Sequence, residues 1–255
     1  MKIHQCAQRS AQWHLLRLGL PTASNFSSIV TPKEGKLSKQ AGAYAHKLLA
    51  EQMLGRVIED KPYQSEWMER GERLEEEALK AYSMLKDVEV RQVGFVTVDS
   101  GRYGCSPDGL TDGGGVELKI PAPGTHMGYL LNPASLAEGY APQVQGCMLI
   151  CDRDVWDIVS YSPEMPPVIH RVKRNEEYVR NLRDALEAFA DTLLAARVKL
   201  EALYKPFPAP ELFEMGGRCC ACGVAYEKKY VGTECERCRS LIVSQADVDA
   251  IAKEW

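Results

Sequence analysis

No stretch of this chain approaches the roughly 20 consecutive apolar residues that a membrane-spanning helix needs. Met1-Lys2-Ile3-His4-Gln5-Cys6 carries no apolar segment of the secretory kind, so a cytoplasmic location is the expectation. Charge of one sign is also scarce: 31 Lys and Arg against 35 Asp and Glu leave a net charge of -4. That removes overall basicity as an argument for a nucleic-acid partner, yet permits basic residues that line a local channel. His14, His46, His126 and His170 lack H-x-x-H or similar ligand spacing and read as structural. Gly113-Gly114-Gly115 lacks the following Lys and Ser or Thr of a phosphate-binding loop and reads as a turn. Internal repeats and low-complexity tracts are missing.

What is present is Ser106-Pro107-Asp108, a glycine-rich gap, and then Glu117-Leu118-Lys119. Strand side chains alternate between faces, so Glu117 and Lys119 emerge together, while apolar Val116, Leu118 and Ile120 point the other way. A tight turn at the glycines returns Asp108 alongside Glu117. Two carboxylates and an amine then converge, which suits a hard divalent cation and the activation of water beside a phosphate. Spacing alone is a weak signal, because three such charges can also be a solvated hairpin surface. Burial of the flanking apolar residues sharpens it, since ionised groups on a buried strand need a partner or a metal.

Around this motif the pattern predicts an α/β fold with a mixed central sheet flanked by helices. A short helix should break at Gly19-Leu20-Pro21, with another starting after it near Thr22 or Ser24. Helices are expected over 38–54, with Gly55 just past the end, and over 63–86, 138–151 and 176–203. Strands are expected over 88–98 with an irregularity near Gly94, at 101–105, 116–120, 155–161 and 168–172, the last two joined by a proline turn over 162–167. Lys205-Pro206-Phe207-Pro208-Ala209-Pro210 ends the last helix and divides the chain into domains at 1–205 and 206–255.

Nine cysteines are an odd number, and four of them form Cys219-x2-Cys222 and Cys235-x2-Cys238 separated by twelve residues. In a reducing compartment this reads as four thiolates around structural zinc, which would staple a tail too short for much of a core. Cys6, Cys105, Cys147 and Cys151 read as ordinary buried thiols.

Several separated blocks together carry a resemblance: Trp13-His14 with Leu16-Arg17-Leu18-Gly19 and Thr22-Ala23-Ser24, then Gly71 with Glu75, Cys105-Ser106-Pro107-Asp108-Gly109-Leu110, Glu117-Leu118-Lys119, and Tyr140 with Gln143-Val144-Gln145. Over about residues 12 to 200 the chain resembles the lambda exonuclease and YqaJ-like viral recombinase family of PD-(D/E)xK nucleases, with a restriction-endonuclease-like core.

The resemblance implies that Asp108, Glu117 and the Leu118 carbonyl ligate magnesium, for which manganese can substitute, with Glu75 joining directly or through water. Glu75 lies in the run Glu72, Glu75, Glu76, Glu77, which also reads as a solvated helix face. Lys119 would orient or deprotonate the attacking water, and Gln143 would hold that water or the Lys119 head group. Arg17, Ser24 and Ser106 match the family's pocket for a terminal 5′-phosphate, where a guanidinium fork and hydroxyls suit a phosphate. Trp13 either stacks on a terminal base or anchors the first helix.

The implied activity is removal of nucleotides from the 5′ ends of double-stranded DNA, leaving 3′ single strands for phage-type recombination in a bacterial cell or phage-infected host. A homotrimer ring and a single-strand annealing partner are also implied. An internally cutting or structure-specific endonuclease, or a DNA-binding recombination scaffold with a zinc interaction module, are the competing readings. For the cysteine tail, an iron–sulfur cluster as in related nucleases stands beside zinc. The tail departs from the minimal exonuclease pattern.

Overall fold

A computed structural model of the chain describes residues 1–58 and 66–204, with the backbone of 217–218 and 225–226. In chain order the elements are β1 (Lys2–His4), α1 (Ala11–Arg17), a 3-10 turn (Ala23–Ser28), α2 (Ala41–Leu54), α3 (Glu66–Lys86), β2 (Phe95–Thr97), β3 (Gly104–Cys105), β4 (Gly109–Thr111) and β5 (Gly114–Lys119). They continue with α4 (Pro123–Leu131), α5 (Pro133–Gly139), α6 (Ala141–Cys151), β6 (Val155–Ser162), β7 (Met165–Lys173) and α7 (Glu176–Tyr204), followed by β8 (Gly217–Arg218) and β9 (Ala225–Tyr226).

The α/β architecture matches expectation, but among the described residues the strands of the core form two sheets rather than one. A four-stranded mixed sheet runs β4-β5-β6-β7, with β5 and β6 parallel and the other pairs antiparallel. A parallel pair needs a long crossover, and α4, α5 and α6 supply it. The smaller antiparallel sheet runs β1-β2-β3, and an isolated bridge between Arg91 and Leu110 ties the segment before β2 to β4.

Strand β5 is covered on both faces. Val116 and Leu118 pack with Ala78, Leu79 and Tyr82 of α3 and with Val159 and Tyr161 of β6. The larger core gathers α2, α6 and α7, with Leu48, Met148, Leu182 and Leu186 fully buried in it. The apolar stripe read along 38–54 faces this core, although α2 starts only at Ala41, and Gly55 closes it in the left-handed conformation at φ 65°.

Several boundaries shift for identifiable reasons. Only Phe95–Thr97 of the expected 88–98 strand finds a partner strand, while Val88 and Val90 pack on the α3 cluster without one. The turn before the carboxylate strand is Asp112-Gly113, because Gly114 already pairs with Thr111; Gly115 lies under Trp156, where a Cβ would come within 2.4 Å of the ring. Strand β7 begins at Met165 and includes Pro166 and Pro167, tolerated because β7 is an edge strand. Glu138 belongs to α5, and α6 starts at Ala141 with Pro142 in its first turn. The segment after Pro21 makes a 3-10 turn rather than an α-helix.

Helices α4 and α5 were not anticipated; each is short and opens on a proline, whose missing N–H costs nothing at a first helical position. His126 of α4 is buried between Ser160 Oγ at 2.7 Å and the Pro166 carbonyl at 3.1 Å, a structural role. Cys105, Cys147 and Cys151 are buried free thiols, whereas Cys6 is half-buried. Among the described residues no helix is long and apolar enough to cross a membrane. The 205–210 linker and Cys219, Cys222, Cys235 and Cys238 lie outside the described residues; β8 and β9 pair antiparallel, Gly217 opposite Tyr226.

Candidate active site

The register of β4 and β5 sets the site. Gly109 pairs with Val116, so Asp108, one residue earlier, sits beside Glu117, and its Oδ2 accepts the Leu118 backbone N–H at 2.6 Å. Glu117 is buried at 4% exposure and points away from the α3 cluster toward α6. There Gln143 donates to Glu117 Oε1 at 2.6 Å, Lys119 Nζ donates to the same oxygen at 2.7 Å, and Lys119 also reaches Gln143 Oε1 at 3.0 Å. The Lys119 ammonium lies 4.4 Å from the centre of the Tyr140 ring. Gln145, by contrast, fastens the junction of β7 and α7, donating to the Lys173 carbonyl and accepting from Asn175 N–H.

These groups open into a hollow of about 440 Å³ whose lining includes Arg9, Glu75, Asp108, Glu117, Lys119 and Tyr140. Burial, and next the Glu117 charge, push the Asp108 carboxyl well above the usual carboxylate range. Burial pulls Lys119 down, but the charge and hydrogen bond of Glu117 outweigh it and leave its pKa raised. Glu117 Oε2 is buried with no hydrogen-bond partner among the described residues.

An orphaned carboxylate oxygen beside a second carboxylate is what a hard cation would fill. Among the described residues no group of three or more His, Cys, Asp or Glu side chains closes on one point. Glu75, from α3, lines the same hollow but is held by Arg9, Nη2 to Oε2 at 2.7 Å.

A second cluster stands two residues along the chain from Asp108, within about 7 Å of extended backbone. Ser106 Oγ accepts from Trp13 Nε1 at 2.8 Å and from Arg17 Nη1 at 3.0 Å. The Arg17 guanidinium lies 4.0 Å from the centre of the Trp13 ring, and burial lowers its pKa from the ordinary value. The Trp13 indole N–H also reaches the Gly94 carbonyl at 3.2 Å, and Arg17 lies over one ring face. Ser24 is exposed in the 3-10 turn and bonds Thr22 and Asn25, and a bridge from Thr22 to Gly104 fixes that turn beside β3.

The turn after Arg17 is clamped by two neighbours on α2. Buried Glu51 accepts the Gly19 N–H at 3.1 Å, and Gln52 donates to the Gly19 carbonyl at 2.9 Å. Sequence reasoning missed Glu51, although its place seven residues after Tyr44 and three after Leu48 sets it on the apolar stripe of α2. Arg9 was missed as well.

The YqaJ-like viral recombinase domain matches residues 12–154, more than half of the chain, and those residues include both clusters. This chain belongs to the YqaJ-like viral recombinase family. Its fold is similar to that of the alkaline exonuclease LHK-Exo from Laribacter hongkongensis, at 27% identity and a TM-score of 0.67, covering 76% of this chain and 97% of that one. LHK-Exo in complex with dAMP matches over the same shares with a TM-score of 0.68. A phage-related exonuclease from Haemophilus somnus 129PT shares the fold at 17% identity and a TM-score of 0.53, over 69% of this chain and 96% of that one. No curated protein matches the chain. Family membership and the likeness to alkaline exonucleases support a nuclease role.

Proposed function

We propose that this family member is a magnesium-dependent 5′→3′ exonuclease that resects double-stranded DNA ends and leaves 3′ single strands for recombination by single-strand annealing. The observation that carries the reading is the opening of Asp108, Glu117 and Lys119 onto one hollow, with Gln143 bonded to both Glu117 and Lys119 and Glu117 Oε2 unpartnered among the described residues. Asp108, Glu117 and the Leu118 carbonyl would hold magnesium or manganese, and Glu75 would assist from α3. Bound there, the cation would lower the pKa of water and offset charge on a phosphodiester.

The side chains divide the remaining work. Gln143 and Lys119 fix the Glu117 carboxylate by gripping one oxygen, so the other faces a defined direction. Lys119, with three N–H donors, orients the attacking water and supports charge developing on the phosphate. Arg17 and Ser106, joined by a hydrogen bond, are the donors for a terminal 5′-phosphate, with Ser24 contributing from the neighbouring turn. Recognition of a free end next to the hydrolytic hollow is what makes the reaction exonucleolytic. The active species is a homotrimer around DNA, cooperating with an annealing protein. The tail of residues 206–255 carries a structural zinc on Cys219, Cys222, Cys235 and Cys238.

End-labelled linear duplexes, with and without a 5′-phosphate, and a closed circle test the reading in magnesium or chelator. Release of 5′ nucleotides from the phosphorylated linear duplex in magnesium alone is expected. Digestion of the circle would replace it with an internally cutting nuclease, and absence of any hydrolysis would leave a DNA-binding scaffold.

A further inference from the structure

Arg9 occupies the active hollow by an unusual route. It stands just before α1 with φ 64°, in the left-handed region that side chains other than glycine rarely adopt. Its neighbours are fixed on both sides. Gln8 Nε2 donates to the carbonyls of Val93 at 3.0 Å and Pro107 at 2.9 Å, which ties this corner to the residue preceding Asp108. Ser10 caps α1, accepting the Trp13 N–H at 3.2 Å. The chain is thereby held in a disfavoured conformation that delivers a guanidinium to the hollow shared by Asp108, Glu117 and Lys119.

The ion pair of Arg9 with Glu75 adds little stability of its own. Arg9 is 52% exposed at its side chain and pairs with Glu75, which is 22% exposed, and such half-exposed pairs add little to folding. Charge explains the arrangement. Three carboxylates line the hollow, and Lys119 is already committed to Glu117. A polyanionic strand entering such a cleft needs a further cation, and the planar fork of arginine fits phosphate oxygens.

We propose that Arg9 is a phosphate-binding residue of the active hollow, contacting the backbone of the bound DNA strand, with Glu75 aligning its guanidinium before the strand arrives. This rests on the nuclease reading above. Glycine is the informative replacement, because it suits the left-handed backbone and removes only the side chain.

Binding of a 5′-phosphorylated duplex, followed by fluorescence anisotropy in chelator across a salt series, compares wild type with Arg9→Gly, Arg9→Lys and Glu75→Gln; hydrolysis by wild type in magnesium runs beside it. Arg9→Gly should bind about tenfold more weakly and lower the slope of log affinity against log salt by about 0.9, the loss of one phosphate contact. Its unfolding midpoint should equal or exceed that of wild type. Arg9→Lys should keep the slope with part of the affinity, and Glu75→Gln should keep the slope. Unchanged affinity and slope in Arg9→Gly, with wild type binding and cutting the duplex, would overturn the proposal and spare the nuclease reading. A wild type that neither binds nor cuts would end both.

Discussion

Gln143 donates to Glu117 Oε1 across 2.6 Å, while the other oxygen of that carboxylate is buried with no hydrogen-bond partner among the described residues. Leaving a buried acceptor unmatched costs about 1–3 kcal/mol, a cost that the proposed magnesium ligation would offset. The parallel pairing of β5 with β6 and the placement of α6 over β5 produce this asymmetry: β5 presents Glu117 and Lys119 on one face, and the first turn of α6 brings Gln143 onto both.

Replacing Lys119 by Met keeps its length and removes its donors. The turnover rate should fall by about 10²–10³-fold, the usual effect of losing one preorganised donor at developing charge. Duplex affinity in chelator should stay within about threefold of wild type. Single-turnover hydrolysis and anisotropy together check this; a loss of affinity that matches the loss of rate would move Lys119 from hydrolysis to DNA binding.

Gly19 ties the turn after Arg17 to the rest of the fold. It has φ 60°, and a Cβ there would lie 2.2 Å from Gln52 Cγ, the side chain that clamps the Gly19 carbonyl. Gly19→Ala should therefore cost about 1–3 kcal/mol, from left-handed strain and the displaced amide. It should also erode the preference for 5′-phosphorylated over 5′-hydroxyl ends, since Arg17 precedes the clamped turn. Gly128→Ala is the control: it sits in α4 with nothing within 4 Å and should gain about 0.5–1 kcal/mol. Thermal unfolding and the ratio of rates on the two ends read both effects.

Asp108, Glu117 and Lys119 were legible in the sequence because a period of two and a tight turn fix which side chains meet, and no distant residue is needed. The long helices were legible for the same local reason: α2 and α7 carry unbroken apolar stripes. Arg9 was not, because its position depends on Gln8 bonding carbonyls 85 and 99 residues away. The 88–98 stretch was overread as strand because the alternating Val88 and Val90 satisfy packing against α3 without a ladder. Short α4 and α5 carry too few turns for periodicity to register.

The tail makes a separate prediction. Gly217 pairs with Tyr226 and Arg218 with Ala225, so the residues joining these strands include Cys219 and Cys222. Elemental analysis of the purified chain should find about one zinc per chain, lost in Cys235→Ser. Stoichiometric iron with visible absorption would assign the four cysteines to an iron–sulfur cluster instead.

Acid stability should depend on Asp157, outside the hollow. Arg171 donates to both its oxygens at 2.8 and 2.9 Å, and Tyr82 of α3 donates at 2.9 Å, joining α3, β6 and β7 through one carboxylate. Burial alone would raise its pKa; the hydrogen bonds from Arg171 and Tyr82 outweigh burial and set it below the ordinary value. With the folded value depressed, the unfolded chain binds more protons between the two values. The stabilisation is therefore complete above the unfolded carboxylate value of about 3.9 and is lost as pH falls through the lower folded one. Asp157→Asn should lower unfolding free energy by about 1.5–3 kcal/mol at neutral pH, where charge-assisted hydrogen bonds are lost. Below about pH 4 the gap to wild type should narrow, because wild type sheds the same interaction by protonation. Urea unfolding of both proteins across that range measures it; a gap that stays constant to the lowest pH would show that Asp157 acts through packing rather than charge.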